Sequence, residues 1–402
     1  MRSLGASRGL DCLFFFVADL QTGFGPFIAV YLTAHSWTQA ELGVVLGVAS
    51  ASGMLAQVPA GLLVDMLRGK ALAAAVALLG IGASALLMAV SPAFWPVLLA
   101  QTLHGFASCM LNPALAALTI GLVSTAAVAE RFGRNARFAA IGSAVGAGLM
   151  GACGSLESPR AVFWLAAVFC LPALLTLLAL RKQFEPNPAV MIAPPANETI
   201  RDTLLDRRLW AYVLCTALFH LANAAMLPLA AVEVTRRADQ GASAIIAACI
   251  LVPQILVALI SPFAGRAADR WGRRSVLLAG FFALPARAAL LTYISNPAWI
   301  VPLQALDGVS GAAFGVITPL IAADLSTQGG RFNLRMGILG LAMGSAAAVS
   351  NTVAGAIATY IGTSTAFMAL ALTGVAAVIA VAFVMPETRP LRPTATDGAG
   401  PE

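Results

Sequence analysis

Twelve apolar runs of about 20 residues follow one another along the chain, and they decide what it can fold into. A helix of that length crosses the roughly 30 Å of hydrocarbon in a bilayer. Hydrophobic residues make up 59% of the chain and charged residues 10%, which excludes a soluble globular domain of 402 residues. We therefore predict an all-α integral membrane protein with twelve transmembrane helices. The predicted spans are residues 10–33, 42–64, 71–90, 95–123, 137–154, 161–180, 209–232, 243–264, 275–295, 299–323, 335–359 and 364–385.

An internal repeat is the second constraint. Three pairs of segments mark it: Gly61–Lys70 with Gly265–Arg274, Gln101–Gly105 with Gln304–Gly308, and Arg131-Phe132 with Arg331-Phe332. The members of these pairs lie 204, 203 and 200 residues apart, about half the chain. Equivalent halves in parallel register are typical of secondary transporters built from two helical bundles.

The basic residues give the topology. Most of them lie at the termini or in the even-numbered connections, and the exceptions are Arg160, Arg236, Arg237 and Arg287. The positive-inside rule then places both termini in the cytoplasm and the chain in the cytoplasmic membrane. The net charge of +6 is explained by this topology and by contact with anionic lipids, so we expect no nucleic-acid partner.

The longest cytoplasmic connection, residues 181–208, is rich in proline and basic residues, as expected of a linker. It separates two predicted six-helix bundles, residues 1–180 and 209–385. The tail, residues 386–402, contains little that could be buried, and we predict that it is disordered.

The sequence lacks the motifs that are typical of ATP binding, nucleophilic catalysis and metal binding. There is no G-x-x-x-x-G-K-[ST] loop for ATP and no arrangement of a nucleophile with a base. The six cysteines lie within the predicted spans without C-x-x-C spacing. We therefore expect neither an enzyme nor a metal site nor a bound cofactor.

The loop after the second span of each half resembles the signature of the major facilitator superfamily, within it the twelve-helix drug:proton antiporter branch. The signature G-x-x-x-D-R-x-G-R-R is matched by Gly265, Asp269, Arg270, Gly272, Arg273 and Arg274. The N-terminal copy keeps Gly61 and Asp65 but has Met66 in place of the arginine. The resemblance implies a monomer whose two six-helix bundles rock against each other.

A gating role for this loop has a physical basis. A carboxylate at a helix end can accept hydrogen bonds from the N–H groups at the positive end of a neighbouring helix. Such a latch would hold the cytoplasmic face closed. The alternative is a basic turn that merely obeys the topology rule. The gating candidates are Gly61, Asp65, Gly265, Asp269, Arg270, Gly272, Arg273 and Arg274.

Two other motifs of that branch are incomplete. The fourth-helix pattern R-x-x-Q-G is replaced by Gln101-Thr-Leu-His104-Gly105, which lacks the arginine implicated in proton coupling. The fifth-helix pattern is represented by the glycines of residues 142–151, without its proline. These glycines fit either close helix packing or an antiporter role.

Ionisable residues inside a span are costly and therefore mark functional positions. Asp19 lies near the middle of the first span, which lines the central cavity in the resembled family, and it is our leading candidate for proton or substrate binding. A structural hydrogen bond is the alternative. Asp307 and His104 occupy equivalent places in the repeat, and both are further candidates for proton coupling.

Arg287 lies deep within a predicted span and needs a partner, for which Asp307 is the nearest in sequence. Such a pair could be structural, a switch, or an anchor for an anionic substrate. Asn223 lies 204 residues after Asp19, with His220 one turn away, although a lone histidine also suits simple packing. The substrate-binding candidates are Asp19, Gln21, Thr22, Asn112, His220, Asn223, Met226, Arg287 and Asn351.

These observations together predict a secondary transporter that moves a small organic solute by alternating access, with proton-coupled efflux as the preferred mode. One alternative is uptake, or export of an anionic or metal-chelating metabolite. A second is a membrane sensor or assembly factor that does not transport. The expected partners are a small-molecule substrate, protons and membrane lipids.

Overall fold

The computed structural model describes residues 2–22, 28, 31–32, 35–37, 39–67, 69–124, 127–181, 199–237, 242–294, 296–326 and 331–389. The helices of the N-terminal half are α1 (Arg2–Thr22), α2 (Gln39–Met66), α3 (Lys70–Val90), α4 (Phe94–Leu122), α5 (Val128–Leu156) and α6 (Ala161–Arg181). The remaining helices are α7 (Ile200–Leu205), α8 (Arg207–Asn223), α9 (Met226–Arg237), α10 (Ala242–Trp271), α11 (Arg273–Tyr293), α12 (Ile300–Leu325), α13 (Phe332–Tyr360) and α14 (Thr363–Phe383). The 3₁₀ turn Pro297–Trp299 precedes α12.

These helices confirm the all-α membrane fold. Within the described part of the chain, ten stretches are long and apolar enough to cross a membrane, and they match the third to twelfth predicted spans. Helices α1 and α2 lie where the first two spans are predicted. Large apolar side chains such as Leu99, Leu175 and Phe383 are exposed around the bundle, as a lipid-facing surface requires.

The two halves have the same internal packing. In the N-terminal half α1 packs on α5 and α6, α3 lies between α4 and α6, and α2 packs on α4. In the C-terminal half α8 packs on α13 and α14, α11 lies between α12 and α14, and α10 packs on α12. The repeat read from the sequence is therefore a structural repeat, because these main helix contacts of one half recur in the other.

The halves meet along two equivalent helix pairs, α2 with α13 and α5 with α10. Glycines allow the backbones to touch: a Cβ at Gly61 would overlap the Asn333 carbonyl, and one at Gly265 would overlap the Ala129 carbonyl. Further along the same pairs, Gly337 lies against the backbone of Gln57, and the corresponding contact joins residues 133 and 261. All four positions obey the offset of 204 residues.

That offset corrects one of the three sequence markers. Counting 204 residues from Arg131 leads to Arg335, four residues beyond the Arg331 that the sequence comparison pairs with it. Arg131 and Arg335 are both buried, whereas Arg331 is partly exposed. The second Arg-Phe dipeptide lies four residues before the position that is equivalent to Arg131. The tertiary contacts show that this position is Arg335.

Basic side chains donate hydrogen bonds to the backbone carbonyls at the ends of two spans, where these carbonyls have no partner within the helix. The Nζ of Lys70 donates to the carbonyls of Val64 at 2.5 Å and Leu67 at 3.2 Å, closing the end of α2. Arg160 donates to the carbonyls of Ala89 and Val90 at the end of α3. Arg160 therefore departs from the pattern of basic residues because it caps the end of α3.

The seventh predicted span, residues 209–232, is broken. The chain turns at Ala224 and Ala225 between α8 and α9. Pro228 lies four residues beyond Ala224, and because proline has no N–H, it cannot bond to the Ala224 carbonyl. The bend therefore lies one turn before Pro228, next to Asn223.

The beginning of the tail differs from the predicted disorder. Both oxygens of the Glu387 carboxylate accept hydrogen bonds from the first N–H groups of α11, those of Arg273 at 2.8 Å and Arg274 at 3.1 Å. Arg389 donates to the carbonyls of Asp269 and Arg270 at the end of α10. Glu387 and Arg389 are held in place because the ends of α10 and α11 supply hydrogen-bond partners for them. Residues 390–402, like linker residues 182–198, lie outside the described part of the chain.

Candidate functional site

Asp65 joins the two halves at the end of the bundle that carries the repeated loops. We call this end the motif end, and it contains Asp65, Gly272, Val128 and Phe332. The Asp65 Oδ1 accepts hydrogen bonds from the Asn333 backbone N–H at 3.1 Å and from its Nδ2 at 2.6 Å. The Asp65 Oδ2 accepts the Leu334 N–H at 2.9 Å. Arg331, the residue in the cap position of α13, makes no capping hydrogen bond with its side chain. Asp65 therefore caps α13 from the opposite half.

The equivalent aspartate behaves differently. Asp269 accepts a hydrogen bond from Arg273 Nη1 at 2.8 Å within its own half. Arg273 also pairs with Asp324 at 3.0 Å, so the better copy of the loop signature forms a network among α10, α11 and α12. No hydrogen bond joins Asp269 to the start of α5 among the described residues. Of the two copies of the signature, the degraded one thus makes the hydrogen bonds between the halves, and the latch role itself stays a prediction.

The remaining gating candidates lie around this network. Gly272 has a positive φ of 94°, a conformation that side chains disfavour, and Glu387 occupies the space a Cβ would need. Arg270 is exposed, and Arg274 contributes its backbone N–H to Glu387.

A buried ion cluster at the motif end joins α1 to α5. Asp11 accepts hydrogen bonds from Arg131 at 2.7 Å and from Arg134 at 2.5 Å. Arg131 extends the network through Asn135 to Thr119 of α4. Asp11 is not among the residues predicted from the sequence, although an acidic residue in a predicted span is a signal that could have identified it.

A second polar cluster lies in the C-terminal half, where α8, α11 and α12 come together. The Nη1 of Arg287 donates to Asp307 Oδ1 at 2.6 Å and to Asn223 Oδ1 at 2.9 Å. Its Nη2 donates to Gln304 Oε1 at 2.5 Å. Arg287 is 1% exposed, whereas the side chain of Asp307 is 23% exposed. The expected ion pair is present, and the carboxylate is its accessible member.

His220 lies on the same helix as Asn223, one turn earlier. Its ring packs edge-on against Phe314 of α12, with centroids 5.2 Å apart. In the described structure its Nε2 is buried without a hydrogen-bond partner. Met226, at the start of α9, is completely buried in the apolar core of this half. Of the candidates on the seventh span, Asn223 contacts the ion pair, His220 packs on α12, and Met226 faces the core.

The other candidates whose side chains the structure describes are not brought to this cluster. The Nε2 of His104 lies 3.2 Å from Ser108 Oγ, one turn along α4. Asn112 and Asn351 are exposed, on α4 and α13. Asp19, Gln21 and Thr22 belong to α1, but their side chains lie outside the described residues, so their proposed roles stay predictions.

Two partners in these clusters escaped the sequence analysis. Gln304 is used there only as a marker of the repeat, although it lies one helical turn before Asp307 and so on the same face. Asn333 carries no signal of its own, since it becomes visible only when α2 is placed against α13.

Comparison with known proteins identifies the family. The model of the Major Facilitator Superfamily matches residues 10–252 and 213–401. Two curated relatives, each named an uncharacterized MFS-type transporter and taken from two strains of Mycobacterium tuberculosis, are 36% identical over 391 residues. Each alignment covers 95% of this chain and 93% of the relative.

Solved structures share the fold at low sequence identity. The E. coli fucose:proton symporter FucP matches with a TM-score of 0.73 and 14% identity, over 93% of this chain and 97% of its own. The human organic anion transporter MFSD10 matches with a TM-score of 0.70 and 15% identity, over 94% and 98%. From the family model and the relatives together, we conclude that the chain belongs to the Major Facilitator Superfamily and is a multi-pass membrane transporter rather than an enzyme.

Proposed function

We propose that this protein exports a small organic solute in exchange for protons, by rocking one six-helix bundle against the other. The observation that carries the proposal is the ion pair between the buried Arg287 and the accessible Asp307. The likeness of residues 265–274 to the loop signature of the drug:proton antiporter branch supports export as the direction.

The ion pair is suited to proton coupling because its two members differ in exposure. Arginine keeps its charge at any physiological pH, so only the carboxylate of Asp307 can gain a proton. Protonation would remove the counter-charge of a guanidinium that is almost completely buried. The electrostatics beside the break between α8 and α9 would then change, and a broken span is where transporters of this kind bind solutes.

The latch at Asp65 supplies the second part of the cycle. Its three hydrogen bonds and the glycine contacts of α2 with α13 hold the motif end closed in this conformation. Opening that end requires these contacts to separate. Alternating access would therefore couple a proton event in the C-terminal half to the breaking of a polar contact between the halves.

Purified protein in vesicles tests the proposal. An imposed pH gradient should drive uptake or release of at least one compound from a panel of cationic drugs, organic anions and metal chelates. Asp307→Asn should abolish the dependence on the gradient. Glu157→Gln, a change in an exposed carboxylate at the end of α5, should leave it intact. Gradient-driven transport that survives in Asp307→Asn would contradict the role of Asp307, and transport by the wild type with no pH dependence would contradict proton coupling.

Arg287 also favours a second candidate, the transport of an anionic or metal-chelating metabolite. When Asp307 is protonated, Arg287 carries a charge that a substrate carboxylate could balance. The same panel separates the two, because selective transport of organic anions, with loss in Arg287→Lys, would favour this candidate over export of cationic drugs.

A further inference from the structure

We propose that Gln304 and Asn223 are positioning residues for proton binding, whose amide oxygens hold the guanidinium of Arg287 while Asp307 is protonated. The inference rests on the proposed role of Asp307 as the proton-binding carboxylate. It adds two neutral residues that set how readily that carboxylate accepts a proton.

The hydrogen bonds around Arg287 divide into one charged and two neutral contacts. Nη1 is shared between Asp307 Oδ1 at 2.6 Å and Asn223 Oδ1 at 2.9 Å, while Nη2 bonds to Gln304 Oε1 at 2.5 Å. Both terminal nitrogens of the guanidinium therefore have an acceptor that does not titrate. Gln304 is fully buried, so water does not compete for its oxygen.

These neutral contacts matter most when Asp307 is protonated. With Asp307 ionised, the guanidinium has a full counter-charge at contact distance. Once the carboxylate is neutral, only the amide oxygens remain as strong acceptors, and hydrogen bonds from a charged donor are about twice as strong as neutral ones. Asn223 is also the last residue of α8, so the guanidinium lies beside the negative end of that helix. The amides thus stabilise the protonated state more than the ionised state.

Further ionisable groups lie on the helices around the pair. Cys249 of α10 is close enough to Arg287 for an electrostatic interaction, and His220 lies one turn before Asn223 on α8, with its ring against Phe314. In the described structure, Asp307 makes an ionic contact with Arg287 and with no residue of α5 or α13. Removing an amide acceptor therefore leaves no charged group in place to take over its role.

Two substitutions at one position give effects of opposite sign. Gln304→Leu removes a neutral acceptor, so Asp307 should need more acid to protonate, and the midpoint of its titration should fall by about one pH unit, a tenfold change in proton affinity. Gln304→Glu supplies a second anion to Arg287, so the midpoint for Asp307 should rise. A merely structural role for Gln304 would not reverse the sign. Asn223→Ser, at a partly exposed position, should also lower the midpoint and serves if Gln304→Leu fails to fold.

The titration is read by infrared spectroscopy of the purified protein, which needs no substrate. The protein carries ¹³C-labelled aspartate, so that aspartate bands are separated from those of glutamate, and the carboxylic acid band that disappears in Asp307→Asn is assigned to Asp307. Gln101→Leu is the matched control, because Gln101 occupies the equivalent buried position in the N-terminal half and its amide faces the sulfur of Met88 rather than an arginine.

Opposite shifts in the two Gln304 variants, with no shift in the control, are the expected result. An Asp307 band that titrates at the same midpoint in the wild type, Gln304→Leu and Asn223→Ser would overturn the inference while leaving proton coupling at Asp307 intact. Absence of any titrating Asp307 band would overturn both the inference and the role of Asp307 in the proposed function.

Discussion

Replacing Asp65 with asparagine should weaken the closed state at the motif end. The carboxylate accepts three hydrogen bonds from the first turn of α13, two at Oδ1 and one at Oδ2. An asparagine side chain keeps one acceptor and turns the other oxygen into an NH₂ group. In either orientation of the amide, a donor then faces a donor, and the negative charge at the positive end of the helix is lost.

The size of the effect follows from the contacts removed. Loss of a helix cap costs about 1 kcal/mol, and loss of a charge at a helix end costs up to about 1 kcal/mol more. A total of about 2 kcal/mol corresponds to a roughly thirtyfold increase in the population of conformations in which α13 has separated from α2. The glycine contacts are unchanged by the substitution, so we expect the protein to stay folded.

Hydrogen exchange read by mass spectrometry in lipid nanodiscs measures this population directly. The amides of Asn333 and Leu334 should exchange roughly thirtyfold faster in Asp65→Asn, because their acceptor is gone and the helix end opens more often. Asp269→Asn is the matched control, since Asp269 bonds to Arg273 in its own half. Equal acceleration of the start of α13 in the two variants, or none in Asp65→Asn, would refute the assignment of the latch to Asp65.

Three further predictions concern single contacts. Arg287→Met and Asp307→Asn should each lower the free energy of unfolding, the second by about 3 kcal/mol because it leaves a buried charge. The double variant should lose less stability than the sum of the two single losses, as measured by unfolding in mixed micelles. Additive losses would mean that the two side chains act independently. Gly133→Leu should impair closing of the motif end, since its side chain would overlap the backbone of Ser261; it should then accelerate hydrogen exchange at the start of α5, and unchanged exchange would contradict the contact. Asp19→Asn should abolish the pH dependence of transport in vesicles if that carboxylate shares in proton coupling, and an unchanged pH profile would remove it from the mechanism.

Helix positions and the division into equivalent halves could be predicted from the sequence because they depend on local properties. An apolar run long enough to cross the bilayer forms a helix wherever it occurs, since each backbone N–H and C=O must be bonded within the segment. The partner of Arg287 could be predicted for a related reason. A charge buried in an apolar span requires a counter-charge, and Asp307 is one of few residues able to supply it.

Which side of each helix faces another helix could not be predicted in the same way. Membrane helices are apolar on every side, so their sequence pattern does not show which face meets another helix and which meets lipid. For this reason the sequence gives no sign that Asn333 meets α2, and the repeated Arg-Phe dipeptide pairs Arg131 with Arg331 instead of Arg335.

The membrane-spanning helices, the repeat and the need of Arg287 for a counter-charge can therefore be read from the chain, because composition, spacing and the cost of burying charge are local properties. Which of the two matching aspartates reaches across the halves depends on how the helices pack. Asp65 does so because Gly61 brings α2 against the first turn of α13, while Asp269 is held within its own half by Arg273. The better match to the loop signature forms a network within its own half, and the poorer match forms the hydrogen bonds between the halves, since a hydrogen bond depends on where two helices meet.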